Sequence, residues 1–377
     1  MQILRKNIVS ILVILAVAGV ILTYFYKPEY FDFITQPSVR VQYERALKKS
    51  PAQLVRWNEL TAIALIDSVE SSDSYSEHII TSTSRPFTAG YVVDIAQGES
   101  LLAYITTDTI KPSWILEAYD LSGKLLQTAT ATDSSLILEV SNNKQRRIRL
   151  IAQSFLEQTD STSFKIYKQP ILGFPLAGKN NSAIKSFWGV ARDGGRRNHE
   201  GNDIFADRGH PVVAAADGII SSVRNKGLGG KQIWLQDQLT ASSHYYAHLD
   251  SQLVTSGQRV SRGDTIGLVG NTGNARTTPP HLHFGIYRAG GAVDPKPYIW
   301  QISIPENSAK LPLARFVIGS GSGSNLRIQP NASATLIKNI QNDTLTILGN
   351  VGDWYHLRIA DDVAGFAHES VVQLIKD

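Results

Sequence analysis

Three short signatures constrain this chain more than any other feature: His199-Glu-Gly-Asn-Asp203, Tyr246-Ala-His248 and His281-Leu-His283. Six of its nine histidines lie between Arg196 and Tyr298. A tetrahedral catalytic zinc takes three protein ligands of imidazole or carboxylate type and keeps one position open. The signatures supply such a set with histidines to spare, so the fold must bring residues far apart in sequence to one point.

Local sequence decides which backbone carries them. His199-Glu200 could open a helical zinc-protease motif with Glu200 as base, which needs two ligands one helical turn apart. Gly201 and Asn202 are poor in a helix interior, and Ile204-Phe205 favours a strand. On strands side chains repeat every two residues, so His281 and His283 share a face, as do His244, Tyr246 and His248. His199 and Asp203 can share one as well, and Glu200 then points away from it.

These signatures, with Arg192-Asp-Gly-Gly-Arg-Arg197, Gly270-Asn-Thr-Gly-Asn-Ala275 and Pro279-Pro-His-Leu-His-Phe-Gly285, closely resemble the LytM/lysostaphin-type zinc peptidases of family M23. The resemblance covers residues 174–298. It implies one Zn2+ per peptidase domain, held by His199, Asp203 and His283, with His248 and His281 as the catalytic pair. It also implies a small antiparallel β domain with a groove. Asn202 stands where the family commonly has an aliphatic residue. Tyr246 and His244, on the expected face of His248, are read as groove or transition-state residues, Tyr246 as an oxyanion donor.

The chemistry such residues offer is direct. Zinc lowers the pKa of a bound water to about 7 and polarises a carbonyl, so no serine or cysteine is needed. Histidine titrates near 6.5, which suits proton transfer at working pH. The expected function is a zinc-dependent endopeptidase hydrolysing peptide crosslinks of peptidoglycan, its partner being the peptide stems or crosslinks. The alternative is a non-catalytic scaffold that binds wall or activates another wall hydrolase. Degenerate relatives generally lose some of the metal or catalytic positions, and all five are present here.

Around this segment the chain reads as a mainly β multidomain protein. Residues 8–26 carry no charge, follow Arg5-Lys6 and precede Lys27, and their 19 positions are enough for a hydrocarbon core of about 30 Å. The expectation is a transmembrane signal-anchor over 1–27. Positive residues before the span then make this a single-pass inner-membrane protein, its bulk periplasmic or extracytoplasmic. A cleaved signal peptide ending at Ala16-Val-Ala18 is the rival reading, opposed by the apolar Ile21-Leu22.

Residues 38–70 form a helical segment, with Ser50-Pro51 opening a second helix. Leu54, Trp57, Thr61, Ala64 and Leu65 recur along it at helical spacing. Over 77–170, short runs at 91–95, 101–106, 114–119, 136–140 and 147–152 predict a β-sandwich. The peptidase domain is expected over 174–300, with a hairpin at Asp217-Gly218 between Val212-Val213 and Ile219-Ile220. A linker over 301–324 ends in Gly319-Ser-Gly-Ser-Gly-Ser324. Residues 325–377 resemble a bacterial SH3-like barrel, with Trp354 and Tyr355 in its core or on wall peptide.

Composition narrows the rest. With no cysteine, disulfides, thiolate catalysis and Cys-zinc sites are excluded. A net charge of +4 is mild, so nucleic acid is not an expected partner, whereas an anionic envelope polymer is. His210 sits in a Gly-His-Pro turn and Arg262-Gly-Asp264 in another. His78, His356 and His368 carry no signature.

Overall fold

The computed structural model describes residues 2–67, 69–107, 113–132, 135–141, 145–307, 311–312, 314–360 and 363–375; side chains of residues 2–13 and 193 are outside that description. The chain divides into two compact units, Met1–Glu59 and Leu60–Asp377.

The first unit is helical. Helix Gln2–Tyr26 is followed by the short Pro28–Phe31 and Asp32–Thr35 turns, helix Val39–Leu47 and the start of helix Pro51–Ile66. Ser38 caps the second long helix, its hydroxyl accepting from Val41 N. Arg45 pairs with Asp32 at 2.6 Å, and the buried Trp57 donates its indole N–H to Glu44 at 3.2 Å.

Among the described residues no helix is long and apolar enough to cross a membrane. This overturns the expected transmembrane anchor and, with it, the single-pass inner-membrane location and the inner membrane as a partner. A span needs about 20 apolar residues for a core of about 30 Å. Residues 8–13 of the expected span lie outside the described side chains.

The second unit is mainly β, apart from the end of helix Pro51–Ile66 and the short helix Lys296–Ile299. Two sheets face each other around a core that includes Tyr91, Trp114, Leu138 and Phe164. One holds Val69–Glu70, Thr88–Ile95, Arg146–Ser154, Trp114–Asp120 and Leu125–Thr128 in that order. The other holds Ser74–Thr81, Asp160–Pro170, Glu99–Thr107, Ser135–Ser141 and Thr130–Ala131. Each expected run lies inside one of these strands; burial alternates along Ser135–Ser141, whereas Thr88–Ile95 and Trp114–Asp120 are buried on both faces over most of their length.

The second sheet does not stop at the sandwich. Strand Ser74–Thr81 pairs with Thr344–Val351 of the C-terminal strands, His78 opposite Asn350 and Ile79 opposite Gly349. A Cβ at Gly349 would stand 2.4 Å from Glu77 Oε1, so the close approach needs glycine. The buried Glu77 accepts from Tyr75, Tyr91 and His356, and Arg358 forks onto Asp67 at 2.8 and 3.0 Å. The Gly-Ser run expected as a linker is a turn between strands Phe316–Gly319 and Asn325–Arg327. Strand Phe316–Gly319 before it already pairs with Thr344–Val351 and Val372–Ile375, and Ser324 is buried, bonding to Val371 O.

Between the sandwich and the C-terminal strands in sequence lies the segment carrying the signatures. Its main antiparallel sheet runs Ile184–Ser186, Asn202–Phe205, His281–Arg288, Ser242–Ala247, Lys231–Asp237, Gly218–Asn225, Arg259–Val260, with Gly291–Val293 paired to His281–Arg288. A three-stranded sheet of Pro211–Val213, Thr265–Leu268 and Ser251–Gln252 completes it, over a core that includes Ile204, Leu235, Leu282 and Phe284. The expected hairpin at Asp217-Gly218 does not form. Val212-Val213 pair in the small sheet and Ile219-Ile220 in the large one, so the turn passes the chain between sheets.

Candidate active site

Antiparallel register builds the site. Asp203 on strand Asn202–Phe205 stands opposite His283 on strand His281–Arg288, and Phe205 stands opposite His281. His283 also faces Ala247 on the next strand. His199 arrives from the loop ahead of the strand, its backbone N–H donating to Val190 O at 2.9 Å.

The ligand-type atoms of His199, Asp203 and His283 converge. His199 Nε2, Asp203 Oδ1 and His283 Nδ1 are each 3.0 Å from the other two. His199 Nδ1 donates to Phe187 O at 2.9 Å, which fixes its tautomer and leaves Nε2 as a bare lone pair. Two imidazole lone pairs and a carboxylate oxygen crowded together repel unless a cation lies between them. Tetrahedral ligands about 2.0–2.1 Å from zinc stand about 3.3–3.4 Å apart, close to the spacing found. The residues present fit a divalent ion.

Electrostatics agree. Burial opposes charge on Asp203, but when the His199 and His283 nitrogens facing it carry protons, their hydrogen bonds and charge outweigh it and hold the carboxyl well below the usual range. Burial depresses His283 below the ordinary imidazole value, which keeps it in the neutral form that binds metal. Arg192 Nη2 donates to Asp203 Oδ2 at 2.6 Å and to Ser186 Oγ at 2.7 Å, so Oδ1 is turned to the cluster. Arg192 belongs to a quoted motif, but its orienting role was not read from sequence. The signal available was a cation shortly before a ligand pair. Gly201 is needed because a Cβ there would lie 2.7 Å from the His283 ring.

His248 and His281 face this cluster from one side, their rings 5.1 Å apart. His248 Nδ1 donates to Thr272 O and His281 Nδ1 to Pro279 O, at 2.9 and 2.8 Å, leaving both Nε2 atoms for proton exchange. Burial, then the neighbouring His283 and His281, push His248 down to about 4. His248 is therefore neutral at physiological pH.

The groove holding these residues has a volume of about 610 Å³. Tyr246 and His244 do not line it. Both are fully buried in the core, Tyr246 accepting from Ala215 N at 2.9 Å and His244 lying 3.1 Å from Ser242 Oγ. The expected shared face fails because His248 has φ of 64°, which ends the alternation at Ala247 and turns His248 to the groove side. The conformation is held by His248 N–H to Gly229 O and Thr272 N–H to His248 O. Glu200 also departs from expectation: it precedes the strand and lines the groove instead of pointing away. Leu228 and Gly229, in the loop after strand Gly218–Asn225, line it too. His210 bonds to Ala177 O, outside the groove lining.

Two imidazoles and a carboxylate at the base of a groove, with two more histidines facing them, define a metal-dependent hydrolase class of site. In keeping with that class, residues 197–295 match the model of peptidase family M23. The L-Ala--D-Glu endopeptidase of Bacillus subtilis is 38% identical over 151 residues, covering 36% of this chain and 46% of its own length. The peptidoglycan DD-endopeptidase ShyA of Vibrio cholerae is 41% identical over 96 residues, covering 26% of this chain and 22% of its own length. The catalytic domain of the antimicrobial peptidase lysostaphin from Staphylococcus simulans is 34% identical, covers 31% of this chain and 92% of its own, and has a TM-score of 0.28. The chain spans less than half the length of these curated relatives.

Proposed function

We propose that the chain is a zinc-dependent endopeptidase that hydrolyses peptide bonds in the crosslinks or stems of peptidoglycan. The observation that carries this reading is the mutual 3.0 Å approach of His199 Nε2, Asp203 Oδ1 and His283 Nδ1. The endopeptidase names of the similar proteins support the substrate class.

His199, Asp203 and His283 are the ligand set in this proposal, with Arg192 holding the carboxylate. Zinc at such a site supplies a nucleophile available near neutral pH and polarises a carbonyl. His248, neutral and with Nε2 toward the groove, takes a proton during attack. His281, held by Pro279 O and stacked on Phe205 at 4.9 Å, is the second proton carrier. The proposed layout is a β-sandwich over 69–170, the peptidase over 174–300 and an SH3-like barrel that starts at strand Phe316–Gly319, earlier than the expected 325.

The test is digestion of purified sacculi, one set with diaminopimelate-type crosslinks and one with glycine bridges, by the zinc-loaded full chain. Fragment masses that identify a cut peptide bond, absent with His283→Ala, are the expected result. Intact sacculi of both kinds after loading with zinc would overturn the proposal.

A further inference from the structure

The groove extends past the metal cluster along a row of aromatic rings that proton transfer and metal binding leave without a task. Tyr245 lies 5.8 Å from the His283 ring, Trp234 4.5 Å from Tyr245, and Tyr287 5.0 Å from Trp234. All three are half-buried and line the groove. Register explains the row: Trp234 is the cross-strand partner of Tyr245, and Tyr245 that of Gly285, two residues before Tyr287. A Cβ at Gly285 would lie 3.1 Å from the Tyr287 ring, so glycine lets that ring lie back toward the row.

Glu200 closes the far end, accepting from Tyr287 OH at 3.2 Å. Glu200 and Asp203 are the only carboxylates among the described residues lining the groove, and Asp203 is committed to the ligand cluster. Glu200 is exposed and, among the described residues, has no basic partner. A solvent-facing carboxylate at the end of three π faces favours one kind of guest. Aromatic faces attract cations, and a carboxylate makes charge-assisted hydrogen bonds to an ammonium. Arg192 and Arg197 line the groove as well, Arg192 being paired with Asp203, so the preference is local to Glu200: there an anionic guest meets repulsion and an apolar one makes no use of the carboxylate.

Building on the peptidase reading, we propose that Trp234, Tyr245, Tyr287 and Glu200 form a subsite for a primary ammonium group on the substrate peptide. The substrate class is a peptide containing a diamino acid whose side-chain amine is free. Glu200 is then a specificity-determining residue.

The experiment uses two synthetic stem peptides identical except that the diamino acid's side-chain amine is free in one and acetylated in the other. Binding to the zinc-loaded full chain is measured by calorimetry, and cleavage by chromatography, for the parent and for Glu200→Gln. The parent is expected to favour the free amine about tenfold in Kd and in KM, the size of one charge-assisted contact. In Glu200→Gln that ratio falls to about one, with zinc content equal to the parent's. Equal binding of both peptides by the parent, or an unchanged ratio in the variant, overturns the subsite. Preference in binding with neither peptide nor sacculi cleaved leaves the subsite standing and removes the peptidase reading. Cleavage without preference does the reverse, and binding of neither peptide removes both.

Discussion

Asp203 and His283 are direct cross-strand partners, and their Oδ1 and Nδ1 atoms meet at 3.0 Å although 80 positions separate them in the chain. One ladder position thus supplies two of the three proposed ligand atoms, and only His199 has to be brought in by a loop. Substituting His283→Ala removes one ligand and leaves the strand intact. Zinc affinity should fall by more than the roughly 10–100-fold typical of outer-shell changes, measured by competition with a chromogenic chelator. Equal metal content in variant and parent would take His283 out of the ligand set.

Arg192 is expected to matter at one remove. Its Nη2 joins Asp203 to Ser186, so Arg192→Ala frees the carboxylate to rotate. Zinc affinity should drop about 10–100-fold, with Arg192→Lys recovering only part of it because a point charge lacks the guanidinium fork. Unchanged affinity in both variants would reduce Arg192 to a surface contact.

For His248 the expected pattern is the opposite: His248→Ala keeps its metal and loses about 10²–10⁴-fold in kcat. The pH profile adds a signed test. Because burial holds His248 down at about 4, it stays a proton acceptor as pH falls through 6.5 and is lost only near 4. A rate-limiting acid limb near 6.5 that vanishes with His248 substituted would contradict this placement.

His244 should reveal itself in stability, not rate. Burial lowers it to about 4, against 6.5 for the unfolded chain. Between those values the unfolded state binds a proton that the native state does not, so the contribution is full above pH 6.5 and is lost as pH falls through about 4. His244→Phe should flatten that part of the urea midpoint against pH curve. Parallel curves for parent and variant would show that His244 is not the group responsible.

Much of the site was legible in the sequence because its information is local. The two-residue repeat of a strand puts His281 and His283 on one face, and ligand chemistry selects imidazole and carboxylate. That logic failed where a distant contact reverses a local rule. Tyr246 and His244 were expected beside His248, but hydrogen bonds from Gly229 and Thr272 hold His248 at positive φ and turn it away from them. Arg192 and Glu200 acquire their roles only once strands far apart in sequence are aligned.

The same division holds for the whole chain. By itself the sequence determined the ligand-type residues, the strands whose alternation sorts inner from outer faces, and the absence of cysteine chemistry. Only the tertiary structure decided that the Gly-Ser run is a turn between paired strands, that the C-terminal strands join the sandwich through strand Ser74–Thr81, and that Asp217-Gly218 passes between sheets. The physical reason is that face and propensity are set by neighbours along the backbone. Strand partners, and therefore which side chains meet, are set by long-range hydrogen bonding and burial that no short window contains.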